Sequence, residues 1–103
     1  MDGNFYGQLR QMSAEQYVIC LQLPIDEERR ARIEKEICYN CLYAAEGFAK
    51  YGNEALARAN LSMFNSYNQK VRITGSHVRF ALKEISKQCP NLSKDVEACW
   101  KTV

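Results

Sequence analysis

Between residues 26 and 71 the hydrophobic positions recur at intervals of three and four. Ile33, Ile37, Cys41, Ala44, Phe48 and Tyr51 fall on one helical stripe, and Leu56, Ala57, Leu61, Phe64, Tyr67 and Val71 fall on another. The spacing predicts two long antiparallel helices, one from Asp26 to about Tyr51 and one to about Val71, joined at Tyr51-Gly52-Asn53. Gly52 suits the left-handed residue that closes a helix, and Asn53 suits the N-cap of the next. Two such stripes need each other and at least one more helix to leave water. The first long helix carries a second, offset apolar line, Cys38, Leu42, Ala45 and Ala49, and so should meet neighbours on two sides. Either the remaining helices cover that second line or another copy of the chain does.

Shorter elements flank this pair. Residues 1–12, with two glycines and mixed polarity, read as a loosely held arm pinned by Phe5 and Tyr6. A helix is expected from Ser13 to about Leu23: Ser13 and Gln16 have capping-box spacing, Ala14, Tyr17, Val18 and Leu21 share a face, and Pro24 ends it. Asp26, Glu27 and Glu28 favour the start of the next helix, and Glu28 is placed to pair with Arg32. Arg72-Ile73-Thr74-Gly75 reads as a turn. A fourth helix then starts at Thr74 or Ser76 and runs through Gln88, with Val78, Ala81, Leu82 and Ile85 inward. Cys89-Pro90-Asn91 ends it, and Ser93 caps a last short helix with Asp95 in its first turn. Val96, Cys99 and Trp100 would lie on the bundle or across to a partner, with Trp100 read as a lid on the core ahead of an interface anchor. The expectation is an all-α single domain over 1–103, an antiparallel helical bundle of four main helices plus a short C-terminal helix.

Composition narrows this reading without changing it. Hydrophobic residues at 47% and charged residues at 25% are ordinary globular values, and 103 residues suffice for a core without staples. No apolar run approaches the roughly 20 residues of a membrane span. The opening MDGNFYGQLR lacks the basic-then-apolar pattern of a signal peptide, so a cytoplasmic protein is expected. Five cysteines then read as reduced thiols. Cys38-x-x-Cys41 has metal-ligand spacing but lies mid-helix with no glycine turn and no second pair; Cys89, Cys99 and His77 would complete a site only by tertiary coincidence. No metal or cofactor is expected. With one histidine, no Ser-His-acid grouping and no glycine-rich phosphate loop, no catalytic residue is expected either. Glu34 and Glu36 fall outside the main apolar stripe. Asn60 falls within its helix's stripe, as a core amide fixing register or as a polar group at a subunit contact.

Charge is unevenly placed. The chain carries +2 overall, yet residues 70–87 hold Lys70, Arg72, Arg79, Lys83 and Lys87 against Glu84 alone, a net +4 that leaves the remainder near −2. Arg79, Lys83 and Lys87 recur at i, i+4, i+8 and form one line. Phe80 lies about 200° around the helix from Val78, at roughly 100° per residue, and so points outward beside that line. An aromatic beside cations suits base stacking next to phosphate contacts, and the N–H groups at Gly75, Ser76 and His77 can face an anion. Lys70, Arg72, Ser76, His77, Arg79, Phe80, Lys83 and Lys87 are therefore the candidate nucleic-acid-binding residues. A separate candidate, a protein interface, comprises Tyr39 and Tyr43 with Leu42, Ala45, Ala49 and Trp100.

Ile73-Thr-Gly-Ser-His-Val-Arg-Phe-Ala-Leu-Lys-Glu-Ile85 resembles the recognition helix of helix-turn-helix repressors, which implies Ser76, His77 and Arg79 in a major groove; Arg72 stands where that motif usually has glycine. A longer stretch resembles the small four-helix-bundle proteins encoded in ribosomal RNA intervening sequences and the accessory variability proteins of diversity-generating retroelements. The resemblance lies in Leu23-Pro24, Glu28-Arg29, Ile33 and Ile37, in Leu56-x-x-Ala59-Asn60, and in Ile73-Thr74 with Val78, Ala81, Ile85 and Lys87. It implies an up-down bundle that self-assembles and binds RNA, DNA or a polymerase such as a reverse transcriptase through basic faces. The expectation is a non-enzymatic accessory protein, a homo-oligomer binding nucleic acid, with a protein-binding adaptor or inhibitor as the alternative.

Overall fold

α2, Glu27–Lys50, is the spine of the molecule, and the rest of the chain is packed around it. The structure, a computed structural model, describes residues 3–103. Among these, α1 spans Gly3–Cys20, α3 Glu54–Val71, α4 Ser76–Gln88 and α5 Ser93–Trp100, with a 3₁₀ turn at Pro90–Leu92 and no strand. α1, α3 and α4 each lie against α2, and α5 bridges α3 and α4. Among the described residues, no helix is long and apolar enough to cross a membrane.

The two apolar lines of α2 explain this arrangement. Ile37, Cys41, Ala44 and Phe48 are fully buried, and so are Cys38, Leu42 and Ala45, with Ala49 at 2% exposure. About 100° per residue places the second line on the flank that receives α4, where the Cys89 thiol beyond that helix reaches the Ala49 carbonyl at 3.5 Å. The chain itself therefore covers the second line. Leu42, Ala45 and Ala49 are core residues, which corrects their assignment to an external protein interface. Trp100 is half-buried and packs on the core as a lid.

α1 departs most from expectation. Residues 3–12 are helical and continuous with the next turns, not a loose arm, and Ser13 lies mid-helix and not at a cap; Met1 and Asp2 lie outside the described residues. The reason is docking. A Cβ on Gly7 would sit 2.9 Å from the Phe48 ring, so the absent side chain lets the backbone of α1 close onto α2. Ala14 is buried on the same face, with Tyr17, Val18 and Leu21 packed against the core.

Termini and connections are fixed by local chemistry. The Asp26 carboxylate accepts from the Arg29 amide at 2.8 Å and caps α2, and Glu28 pairs with Arg32 at 2.8 Å. Gly52 has φ +75 and closes the hairpin; Asn53 stands at the cap position of α3 but makes no side-chain cap bond. Arg72 adopts φ 56, ψ 54, the left-handed conformation expected of a glycine there. Ser93 is the first residue of α5, entered through the 3₁₀ turn, and its hydroxyl bonds Ser86 at 3.1 Å in place of capping.

Polar ties join the helices. Asn68 is fully buried: its amide donates to the Thr102 hydroxyl at 3.0 Å, and its oxygen accepts from the Ile73 amide at 2.6 Å. One side chain thus holds the α3–α4 turn to the segment after α5. Asn60 is the core amide of α3, donating to Leu56 O at 2.9 Å and to Gln11 of α1 at 3.0 Å. Glu34, 8% exposed and expected outside the core stripe, is buried against Lys70 at 3.2 Å. Arg58 reaches Asp95 at 3.4 Å and ties α3 to α5.

Candidate nucleic-acid interface

α4 presents Val78, Ala81, Leu82 and Ile85 to the core, which fixes the opposite direction of Arg79, Phe80, Lys83 and Lys87. All four are exposed, Phe80 by 61%. Among the described residues, Arg79, Lys83 and Lys87 pair with no carboxylate. Three unneutralised cations on successive turns beside an open ring can meet phosphates and a base together.

His77 starts the same helix and does something else. Its ring stacks on Tyr39 of α2, centroids 5.7 Å apart and planes at 22°. Tyr39 in turn stacks on Tyr43 at 6.3 Å, and the Arg10 guanidinium lies 5.4 Å from the Tyr43 ring and 5.2 Å from Tyr6. Arg10 also donates to the Tyr6 hydroxyl at 3.1 Å and to Asn40 at 3.3 Å. The result is one row, Tyr6–Arg10–Tyr43–Tyr39–His77, across α1, α2 and α4. Gly75 is required at its end: it has φ +130, and a Cβ there would approach the His77 ring to 3.0 Å. Burial, with Tyr39 next, raises the Tyr43 phenol pKa above its usual value.

This row changes the role of its members. Tyr39 and Tyr43 spend their ring faces on each other, on His77 and on Arg10, so they form a wall of the surface and not a free interface. The free ring is Phe80, one turn from His77 on α4. Beyond Tyr43 the surface becomes acidic: the Glu46 carboxyl pKa is raised by burial and then by Glu84 across from it on α4, with Lys50 opposing.

The other candidates lie elsewhere. Lys70 is held by Glu34. Arg72 opens onto the cleft with Gln69, Lys101 and Thr102. Ser76 is exposed at the start of α4. The five thiols are all free, and among the described residues no three His, Cys, Asp or Glu side chains converge as a metal site. Burial pushes Cys38, Cys41 and Cys99 up to about 12, which keeps them protonated and inert. The aromatic row was not legible beforehand beyond Tyr39 and Tyr43 at i,i+4, because Arg10 and His77 are separated from them by 29 residues or more. No protein-family model, curated protein or solved structure matches the chain.

Proposed function

We propose that the protein is a non-enzymatic, nucleic-acid-binding accessory protein that grips a single strand along the outer face of α4. The reading takes α1–α4 as an antiparallel bundle braced by α5, working as a homo-oligomer in the manner of the intervening-sequence bundle proteins its sequence resembles. The observation that carries it is the line Arg79, Lys83 and Lys87, unpaired with carboxylates and flanked by the exposed Phe80. Phosphates sit on the cations while one base stacks on Phe80; His77, braced by Tyr39, borders the base. A duplex offers no free base face to Phe80, so single strands are favoured.

Two other readings have less support. A helix-turn-helix mode keeps its left-handed turn at Arg72, but α4 is seated on α2 and α5 and does not lie along α3. An adaptor using Tyr39, Tyr43 and the second line of α2 would need residues that the chain has already covered. Fluorescence anisotropy with labelled RNA, single-stranded DNA and duplex tests the proposal. The single strands bind more tightly than duplex, and Phe80→Ala weakens them by about 1–3 kcal/mol. Equal binding of duplex and strand, unaffected by Phe80→Ala, would contradict it.

A further inference from the structure

The last turns of α3 and α5 meet at a cleft of about 420 Å³, lined by Asn65, Gln69, Arg72, Ala98, Lys101 and Thr102. Two cations and two side-chain amides face it, and no carboxylate does. Among the described residues, the side chains of Asn65, Gln69, Arg72 and Lys101 make no ion pair and no hydrogen bond. The backbone beside both cations is nevertheless fixed. Asn68, fully buried, accepts from the Ile73 amide at 2.6 Å, next to Arg72, and donates to the Thr102 hydroxyl at 3.0 Å, next to Lys101. One amide thus sets the spacing of the two cationic residues. Arg72 also stands at φ 56, in the left-handed region that glycine enters at least cost. Strained backbone of this kind persists where the surroundings enforce it and clusters at ligand sites.

We propose that this cleft binds a phosphate monoester. Such a group carries close to two negative charges at neutral pH, and the cleft offers two unneutralised positive ones. The planar guanidinium of Arg72 suits two phosphate oxygens at once, the Lys101 ammonium supplies the second charge, and the Gln69 and Asn65 amides add donors. A single carboxylate would leave one cation unmatched, and so would an internal phosphodiester with its one charge. The volume falls within the roughly 300–1,000 Å³ of small-molecule sites, which leaves room for the sugar or other alcohol that bears the phosphate. Two sources share this chemistry: the phosphorylated end of a nucleic-acid strand and a free mononucleotide or sugar phosphate. None of the lining residues lies on α4, so the site stands whether or not α4 carries a strand.

Thermal unfolding at constant ionic strength, set with sodium chloride, reads the site. Inorganic phosphate and adenosine monophosphate raise the parent's Tm saturably, by about 5–10 °C at ten times the dissociation constant. Arg72→Gly suits the left-handed turn and keeps the fold, and Lys101→Ala changes an exposed side chain. Each weakens the phosphate response at least tenfold in concentration, whereas replacing Arg79, Lys83 and Lys87 together by alanine leaves it intact. An oligonucleotide with a 5′ phosphate, compared with the same strand ending in a 5′ hydroxyl, separates the sources. Tighter binding of the phosphorylated strand, lost in Arg72→Gly, assigns a strand end; equal binding of the two strands beside a response to adenosine monophosphate assigns a free ester. Were the two cations there only to offset the helix dipoles, both variants would lower the Tm in the absence of phosphate and keep the parent's response to it. No Tm response in the parent to any of the three phosphates, or a response that Arg72→Gly or Lys101→Ala retains in full, overturns the proposal.

Discussion

α1 and α2 each carry two apolar lines, and only α2 has both covered by its own chain. In α2 the second line seats α4, and Leu42 and Ala45 have no exposure. In α1 the second line faces outward, with Met12 and Ile19 more than half exposed. The difference arises from position in the fold. α2 is the central rod, with neighbours on three flanks, while α1 is a peripheral rod with α2 as its main support. A doubled stripe therefore reports how many neighbours a helix needs, without saying whether they belong to the same chain.

Substitution should separate the two lines sharply. Leu42→Ala removes a fully buried side chain and is expected to cost about 2–5 kcal/mol in urea unfolding. Ile19→Ala, measured at a concentration low enough to keep the chain monomeric, should stay within about 0.5 kcal/mol of the parent. Comparable losses at both positions would mean that the outer line of α1 is covered within the chain after all.

The next largest effect concerns how α1 is seated. Alanine is a better helix former than glycine by about 1 kcal/mol. At Gly7, however, the added methyl meets the Phe48 ring, which is fully buried and has nowhere to turn. Overpacking costs about 1–3 kcal/mol, so Gly7→Ala is expected to lower the melting temperature. A rise would show that α1 does not close on α2 at this point.

Much of the α2–α3 hairpin was legible in the sequence because its signals are local: the Asp26 cap, the Glu28–Arg32 pair, the left-handed Gly52 and the strong three-four spacing. The outward direction of Phe80 followed from the same periodicity. α1 was misread over residues 3–12 because its glycines and polar residues make a poor helix in isolation; docking on Phe48 supplies what propensity lacks. Glu34 looked peripheral because its partner, the exposed Lys70, is 36 residues away. The pairing of His77 with Tyr39 and the hold of Asn68 on Thr102 are long-range for the same reason, and no spacing rule reaches them.

Thiol chemistry gives a smaller, graded contrast between the helices. Cys20 on α1 is partly exposed, whereas Cys38 and Cys41 are buried in α2 with pKa values raised from 9.0 to about 12. A thiol reagent at pH 8 should label Cys20 first and reach the α2 pair only through unfolding. The folded state holds protons that the unfolded chain releases above 9.0, so stability is full below that pH and declines as pH rises toward 12. A melting temperature that holds constant from pH 8 to 10.5 would contradict this burial.

The salt dependence of single-strand binding tests the α4 surface most directly. For single strands the slope of log affinity against log salt is about −0.7 per phosphate neutralised. Replacing Arg79, Lys83 and Lys87 together by alanine should make that slope shallower by about 2 and weaken binding at low salt. A triple variant that keeps the parent's slope and affinity would show that α4 does not carry the contact.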